Sequence, residues 1–176
     1  MGIDARVPAL VLALVLSGHA GAHGEKHDGG SAPAPATQVA PAPPVAPPPA
    51  PEQQDFGIAG DPAKVTRTIT VRMSDAMRYL PSLVEIRRGE TVRFVVRNRG
   101  RAFHEMVIGT KAGLKEHAEL MKRFPGMEHD EPNMVHVSSG TTGEIVWQFN
   151  REGEFYYACL VHGHFEAGMV GRVIVK

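Results

Sequence analysis

The C-terminal two thirds of the chain contain a series of short segments in which apolar and polar residues alternate. Successive side chains of a β-strand point to opposite faces, so this alternation places the apolar side chains of each segment on one face that can be buried. Turn residues separate the segments at short spacing, which is typical of a two-sheet sandwich. We therefore expect an all-β sandwich with strands over residues 66–73, 84–88, 90–98, 102–108, 143–150, 154–158 and 169–175.

One segment departs from this alternation and has helical spacing instead. Residues three and four apart share one face of a helix, and a Pro-Gly pair ends such a segment. Residues 111–124 are followed by Pro125-Gly126 and carry such a face, made of Leu114, His117, Ala118 and Met121. The sequence therefore predicts a helix inserted between two strands of the sandwich.

The first 22 residues have the features of a secretory signal peptide. Arg6 supplies a positive charge, residues 7–16 are apolar, and Ala20-Gly21-Ala22 matches the small-residue pattern of a cleavage site. The apolar run of about ten residues is short for a membrane span, which needs about 20. We expect cleavage after Ala22, a periplasmic protein and no membrane span in the mature form. An uncleaved N-terminal anchor is the alternative.

Residues 23–60 are expected to form a tail and a linker, and residues 61–176 one folded domain. Residues 29–51 consist almost entirely of alanine, proline and small residues, a composition that forms an extended spacer rather than a core. Cleavage after Ala22 would expose the α-amine of His23, which together with its imidazole and that of His27 can chelate Cu(II). A solvated tail that binds no metal is the alternative.

The amino-acid composition argues against nucleic-acid binding and favours metal binding. Lys+Arg and Asp+Glu number 19 each, so the chain lacks the basic surplus of a nucleic-acid binder. The single cysteine of an exported protein cannot form an internal disulfide, and an exposed free thiol would be oxidised. A role as a metal ligand is therefore favoured. Nine histidines and eight methionines add ligand types that suit copper.

The segment between the last two predicted strands contains Cys159, His164 and Met169 in a Cys-x4-His-x4-Met pattern. A short loop with these spacings lets three side chains converge on one point. Mononuclear copper sites of this type use a thiolate and two imidazoles in a near-trigonal plane, with a weak thioether on the axis. The second histidine must come from a distant strand, and His104, which follows the turn at Asn98-Arg99-Gly100, is the candidate.

With these motifs the chain resembles the cupredoxin family, which includes plastocyanin and azurin. Within that family it is most similar to small periplasmic copper-tolerance cupredoxins, through the segments His104-Glu105-Met106-Val107, Met127-Glu128-His129 and Gly163-His164-Phe165-Glu166-Ala167-Gly168-Met169. The resemblance covers the last two thirds of the chain. It implies a Greek-key β-sandwich and a Cu(I)/Cu(II) cycle at one type 1 copper ion. It also implies that the metal ligands are His104, Cys159, His164 and Met169.

Two residues near this site depart from the pattern of the close relatives. His162 stands where those relatives would have proline, so the loop contains His162-Gly163-His164. His162 is either an alternative ligand or an exposed residue at the rim, and we favour His164 as the ligand. Glu105 follows His104 where some relatives carry asparagine or serine, which bears on the hydrogen bond to the thiolate.

A second copper site is a further hypothesis from the inserted segment, because thioether and imidazole ligands suit Cu(I). His117 and Met121 are four residues apart and share a helix face. The alternative is that the methionines fill the core, as flexible methionine often does, and we favour core packing for Met121. The candidate ligands in this segment are His117, Met121, Met127, His129, Met134 and His136.

We therefore expect a periplasmic type 1 copper protein that transfers single electrons and serves copper tolerance. Four protein ligands leave no open position for a substrate, so we expect no enzymatic activity. A binuclear centre would need a second cysteine, and a multicopper oxidase a longer chain with several His-x-His pairs. The alternatives are an electron shuttle for a respiratory cytochrome or oxidase, and a metal-free sandwich module for adhesion.

Overall fold

The computed structural model describes residues 50–125, 127 and 129–176. The predicted signal peptide, His23, His27 and most of the predicted linker lie outside these residues. No helix in the described ranges is long and apolar enough to cross a membrane. A 3₁₀ turn spans Pro62–Lys64, and the helix α1 spans Lys111–Arg123. The strands are β1 (Gln53–Gln54), β2 (Gly57–Ala59), β3 (Arg67–Ser74), β4 (Arg78–Leu80), β5 (Leu83–Ile86), β6 (Thr91–Asn98), β7 (His104–Gly109), β8 (Met134–Val137), β9 (Thr142–Gln148), β10 (Gly153–Ala158) and β11 (Val170–Val175).

The strands form two sheets. One has the order β1-β2-β9-β6-β3-β4 and the other the order β5-β11-β10-β7-β8. The pairs β3–β6 and β5–β11 are parallel, and the other pairs are antiparallel. The chain crosses repeatedly from one sheet to the other, through β5, β6, β7, β9 and β10. Strands that follow one another in sequence therefore often lie in different sheets. This arrangement confirms the predicted Greek-key sandwich with an inserted helix.

The core lies between the sheets and follows the alternation of the sequence. Val92, Phe94 and Val96 of β6 are fully buried, and Ile145 and Trp147 of β9 are buried beside them. The Phe94 ring also packs edge-on against Phe149, with 6.1 Å between ring centroids. Full burial of side chains of this size stabilises a fold by about 1.5–3 kcal/mol each. Such a core gives the end of the sandwich a rigid frame.

The helix α1 covers the outer face of β7 and β10. Its N-cap is Thr110, whose hydroxyl accepts a hydrogen bond from the backbone N–H of Gly113 at 3.1 Å. Leu114 and Ala118 are buried against these strands, so β7 has buried residues on both faces. The second core beneath the helix consists of Val107, Leu114, Ala118, Met134, Ala158 and Leu160.

The short strands β1, β2, β4 and β8 lie outside the predicted segments. Each has only two to four residues, too few for alternation to stand out. Strands β1 and β2 fall in residues 23–60, which composition assigned to the tail and linker, yet β2 pairs with β9. The ring of Phe56 stacks on Trp147 with 5.1 Å between centroids, and the Phe56 carbonyl accepts the indole N–H of Trp147 at 3.0 Å. Sheet pairing therefore begins before residue 61.

Candidate metal centre

Three of the four predicted ligands come together at one end of the sandwich. One ligand atom each from His104, Cys159 and His164 lies within 4.8 Å of the others. The Nδ1 atom of His164 is 3.3 Å from Nδ1 of His104 and 3.3 Å from Sγ of Cys159. Two imidazole nitrogens and a sulfur at this spacing are the in-plane donors that a mononuclear copper site needs.

Strand pairing explains why residues so distant in sequence meet. Strands β7 and β10 are antiparallel neighbours, with Ala158 opposite Val107. The start of β7, where His104 lies, is therefore beside the end of β10, where Cys159 follows. His164 comes from the loop that continues from Cys159.

The loop from Cys159 to Met169 is closed by its own backbone. The N–H of Cys159 donates to the carbonyl of Met169 at 3.1 Å, and the N–H of Met169 donates to the carbonyl of His164 at 3.0 Å. Gly163 and Gly168 have φ values of 83° and 84°, a left-handed conformation that other residues rarely adopt. Met169 is fully buried in the core between the sheets. The loop thus brings the predicted axial residue beside Cys159 through a backbone hydrogen bond.

Burial affects the protonation of two of the donors, Cys159 and His164. His104 and Cys159 are fully buried, whereas His164 is partly exposed. Burial raises the pKa of the Cys159 thiol to about 12, although hydrogen bonds from the N–H groups of Glu105 and Val161 oppose the shift. Burial and the neighbouring His104 lower the pKa of His164. Without a cation Cys159 and His164 therefore favour their neutral forms, and a bound metal ion would displace the thiol proton.

Asp75 orients His104 and was not identified from the sequence. Its carboxylate accepts the backbone N–H groups of Arg101, at 2.8 and 3.0 Å, and Ala102, at 3.1 Å, and these bonds lower its pKa. One oxygen lies 3.3 Å from Nε2 of His104. A proton on Nε2 that is donated to Asp75 leaves the lone pair of Nδ1 free for a metal, which is the usual role of such a carboxylate. Asp75 lies 29 residues before His104, and no local pattern distinguishes it from an ordinary turn aspartate.

Glu105 links β7 to the cysteine loop through several hydrogen bonds. Its backbone N–H points to Sγ of Cys159 at 3.5 Å, and its carbonyl accepts the Tyr79 hydroxyl at 2.6 Å. Its side chain is buried, and one carboxylate oxygen accepts the N–H of Leu160 at 2.8 Å. The other oxygen lies 3.1 Å from Nε2 of His136. The N–H that contacts the thiol sulfur is a backbone group, so the departure at position 105 leaves this contact intact.

The remaining candidates lie outside the His–Cys–His group. His162 is exposed, and among the described residues it is not a member of that group. Met134 is buried in the core beneath α1. The rings of His117 and His129 are adjacent, with 4.7 Å between centroids. A cavity of about 510 Å³ beside the centre is lined in part by Met121, Met127, His129, His136 and His162.

A two-sheet β-sandwich that carries a cysteine and two histidines at one end defines a mononuclear copper protein of the cupredoxin type. Residues 65–176 match the copper binding proteins of the plastocyanin/azurin family. The chain belongs to this family, and copper is its cofactor.

Similar proteins of known name support this assignment. A copper-resistant cuproprotein CopI of Rubrivivax gelatinosus is 55% identical over 121 residues, which cover 69% of this chain and 73% of that protein. A protein of the same name from Pseudomonas aeruginosa is 32% identical over 152 residues, covering 70% and 83%. Among solved structures, reduced auracyanin of Roseiflexus castenholzii has a TM-score of 0.55 at 17% identity, covering 64% of this chain and 98% of its own. Auracyanin B has a TM-score of 0.55 at 19% identity, covering 70% and 96%. These two structures share the fold.

Proposed function

We propose that the protein is a periplasmic type 1 copper protein that serves copper tolerance by binding copper and by one-electron transfer. Its ligands are His104, Cys159, His164 and Met169. The observation that carries the proposal is the group of donor atoms from His104, Cys159 and His164 within 4.8 Å of one another. Bound there, copper supplies a one-electron Cu(I)/Cu(II) couple.

The surroundings of the donors favour electron transfer over catalysis. Asp75 holds the imidazole of His104, and the backbone of Glu105 contacts the sulfur of Cys159, so these donors are fixed before metal arrives. Donors that move little when the oxidation state changes keep the reorganisation small. The partly exposed edge of His164, next to Phe165 and Val161, is the proposed exit for the electron. Four protein ligands leave no position for a substrate.

The tolerance role rests on the relatives and on the predicted export signal. Curated relatives that are 32–55% identical are named copper-resistant cuproproteins. Residues 1–22 are predicted to direct the chain to the periplasm. An electron shuttle to a cytochrome or oxidase is the second candidate, favoured by the half-exposed Phe103 next to the buried His104. Membership in a copper-binding family argues against the metal-free adhesion module.

The ligand set is tested by loading the mature protein with Cu(II) and measuring its visible spectrum and copper content. Cys159→Ser should lose the intense thiolate–copper absorption, and His164→Ala should lose or strongly shift it. His162→Ala is the matched control, since it removes an imidazole from the same loop outside the donor group. Loss of the band in His162→Ala with retention in His164→Ala would reverse the assignment within the loop.

The physiological role is tested in the host bacterium by deleting the gene and restoring it as wild type or Cys159→Ser. The tolerance role predicts that growth in added copper fails in the deletion strain and returns only with wild type. Normal growth of the deletion strain in copper, combined with slower turnover of a respiratory oxidase, would favour the electron shuttle instead.

A further inference from the structure

The arginine groove is a depression of about 520 Å³ on the outer face of β4, β3 and β6. The residues that line it belong to these three strands or directly follow β4 and β6, and they are Thr70, Arg72, Leu80, Pro81, Arg97 and Arg99. All three arginines are exposed, and none of them takes part in an ion pair among the described residues. The groove therefore presents positive charge to solvent.

Strand register places two of these arginines side by side. Arg72 of β3 lies opposite Arg97 of the parallel strand β6, and opposite Leu80 of β4 on its other side. Neighbouring strands are about 4.8 Å apart, and like charges at opposite positions repel each other. Toward the other end of the same face, Arg93 of β6 has the carboxylate of Glu144 at 3.5 Å. An anionic ligand in the groove would supply the compensation that Arg93 receives within the sheet.

The groove has an apolar side as well as a charged one. Leu80 is 58% exposed, and Pro81 follows it at the groove. A guanidinium group binds a carboxylate through two parallel hydrogen bonds, so the arginines suit acidic side chains. A free inorganic anion would leave Leu80 in water, and the flat surface of a lipid bilayer would not reach into a concave site. An acidic peptide segment that also carries an apolar side chain fits both sides of the groove.

The groove borders the end of the sandwich that carries the metal centre. Arg99 lies in the turn that leads to His104, and its backbone N–H donates to the carbonyl of Met73 at 2.9 Å. On the neighbouring strand, Arg72 comes three residues before Asp75, whose carboxylate is 3.3 Å from Nε2 of His104. A ligand held in the groove would therefore lie beside the metal centre.

We propose that the arginine groove binds an acidic surface segment of the protein that exchanges electrons with the metal centre. The identity of this partner rests on the proposed electron transfer, whereas the preference of the groove for acidic ligands does not. In the exchange, Cu(I) gives one electron to the oxidised cofactor of the partner and becomes Cu(II), and the electron leaves through His164. The arginines raise the association rate of an acidic partner, and dissolved salt screens this attraction.

The first test titrates the mature Cu(I)-loaded protein, which is diamagnetic, with an oligoglutamate peptide and follows the arginine Nε–H signals by NMR. The signals of Arg72, Arg97 and Arg99 should shift. Arg72→Gln/Arg97→Gln should bind the peptide about tenfold more weakly at low salt. Arg87→Gln/Arg151→Gln is the matched control and should bind as wild type, since both residues are exposed, lie outside the groove and form no ion pair within the described ranges.

Vesicles of phosphatidylcholine and phosphatidylglycerol distinguish a protein ligand from a lipid surface. The wild-type protein should remain in the supernatant when these vesicles are sedimented. Sedimentation that depends on Arg72 and Arg97, without any shift caused by the peptide, would overturn the proposal in favour of a lipid ligand. Equal peptide affinities of the two double variants would overturn it as well.

The second test follows electron transfer from the Cu(I) protein to two oxidised c-type cytochromes by stopped flow, one with an acidic and one with a basic surface. The rate constant with the acidic cytochrome should fall as NaCl is added. It should also be about tenfold lower in Arg72→Gln/Arg97→Gln, whose visible band when loaded with Cu(II) should be unchanged. The rate constant with the basic cytochrome should not fall in this variant.

Equal rate constants of wild type and Arg72→Gln/Arg97→Gln with the acidic cytochrome would overturn the proposal. Absence of electron transfer to either cytochrome, in a protein that keeps its visible band and binds the peptide, has a different meaning. It would overturn the assignment of the partner as a redox protein, and with it the proposed electron transfer, but the binding of acidic segments would stand.

Discussion

At the scale of single residues, the centre depends on groups that do not bind metal. Asp75 is half-exposed, yet its two oxygens receive two backbone N–H groups as well as the contact from His104. These bonds fix the carboxylate, and the carboxylate fixes the imidazole. Partners that orient a ligand in this way contribute to the affinity of a metal site although they do not bind the metal.

We expect Asp75→Asn to lower the affinity for Cu(II) by about 10–100-fold, because an amide is a weaker and less directional acceptor for Nε2–H. A competition titration with a calibrated chelator measures the change. Asp61→Asn is the matched control, since Asp61 also accepts a backbone N–H, that of Ala63 at 2.9 Å, but lies away from the centre. Equal affinities of the two variants would show that Asp75 has no positioning role.

The buried thiol of Cys159 predicts how the stability of the metal-free protein depends on pH. Its pKa is about 12 in the folded state and about 9 in an exposed thiol, so the unfolded chain releases this proton first as the pH rises. The contribution of the Cys159 thiol to the free energy of unfolding is therefore fully present below pH 9. It is lost between pH 9 and 12, at about 1.4 kcal/mol per pH unit.

Denaturant unfolding of the metal-free protein at pH 8.0, 9.0 and 10.0 measures this loss. Cys159→Ala has no thiol, so its free energy of unfolding should fall less steeply over the same range. The tyrosines Tyr79 and Tyr157, whose pKa values burial also raises, remain in both proteins. Cys159 is a further cause of the raised pKa of Tyr79, but burial is the largest cause and persists in Cys159→Ala, so Tyr79 stays protonated in both folded proteins over this range. Parallel curves for the two proteins would contradict the prediction.

At the scale of elements, β7 is the strand around which the centre is built. It supplies His104, pairs with β8 and β10, and lies beneath α1. Glu105 connects this strand to the loop after β10, because its buried side chain accepts a hydrogen bond from the N–H of Leu160. The strand therefore fixes the histidine and the cysteine loop together.

We expect Glu105→Ala to reduce the free energy of unfolding by about 1–3 kcal/mol, because it leaves the buried N–H of Leu160 without its acceptor. Glu105→Gln keeps a carbonyl oxygen at this position and should cost less. Urea unfolding of the metal-free variants measures both values. If Glu105→Gln were as destabilising as Glu105→Ala, the stability would depend on the negative charge that faces His136 rather than on the oxygen that accepts the N–H of Leu160.

Elements also differ in how well the sequence predicts them. The long alternating strands β3, β6 and β9 and the helix α1 agree with the predicted segments to within two residues at each end, because each has enough residues to show its period. Strand β8 has four residues and was missed, and with it the pairing that places His136 opposite Glu105. The Cys159 loop is predicted because its spacing is local. Asp75 could not be predicted, since its contact with His104 exists only after the turn at residues 99–103 folds over it.

At the scale of the whole molecule, the proposed ligands join parts of the chain that are distant in sequence. His104 precedes Cys159 by 55 residues, and the helix α1 and the strands β8, β9 and β10 lie between them. A metal ion held by both would stabilise the folded state, since the unfolded chain presents these donors far apart.

We expect Cu(II) to raise the melting temperature of the wild-type protein, with a larger increase at higher free copper. Cys159→Ser should lose most of this increase, whereas His162→Ala should keep it. Differential scanning calorimetry of each protein with and without copper measures the effect. A copper-induced increase that persists in Cys159→Ser would locate the stabilising ion elsewhere in the chain.

The unequal exposure of the four proposed ligands has a consequence for how a copper ion and an electron reach or leave the centre. His104, Cys159 and Met169 are sealed inside the sandwich, and only His164 reaches the surface. His164 is therefore the ligand through which both an incoming ion and an outgoing electron would pass. If a partner protein docks over His164 to take the electron, as proposed, it would also cover this route and keep the copper ion from leaving while the electron is delivered.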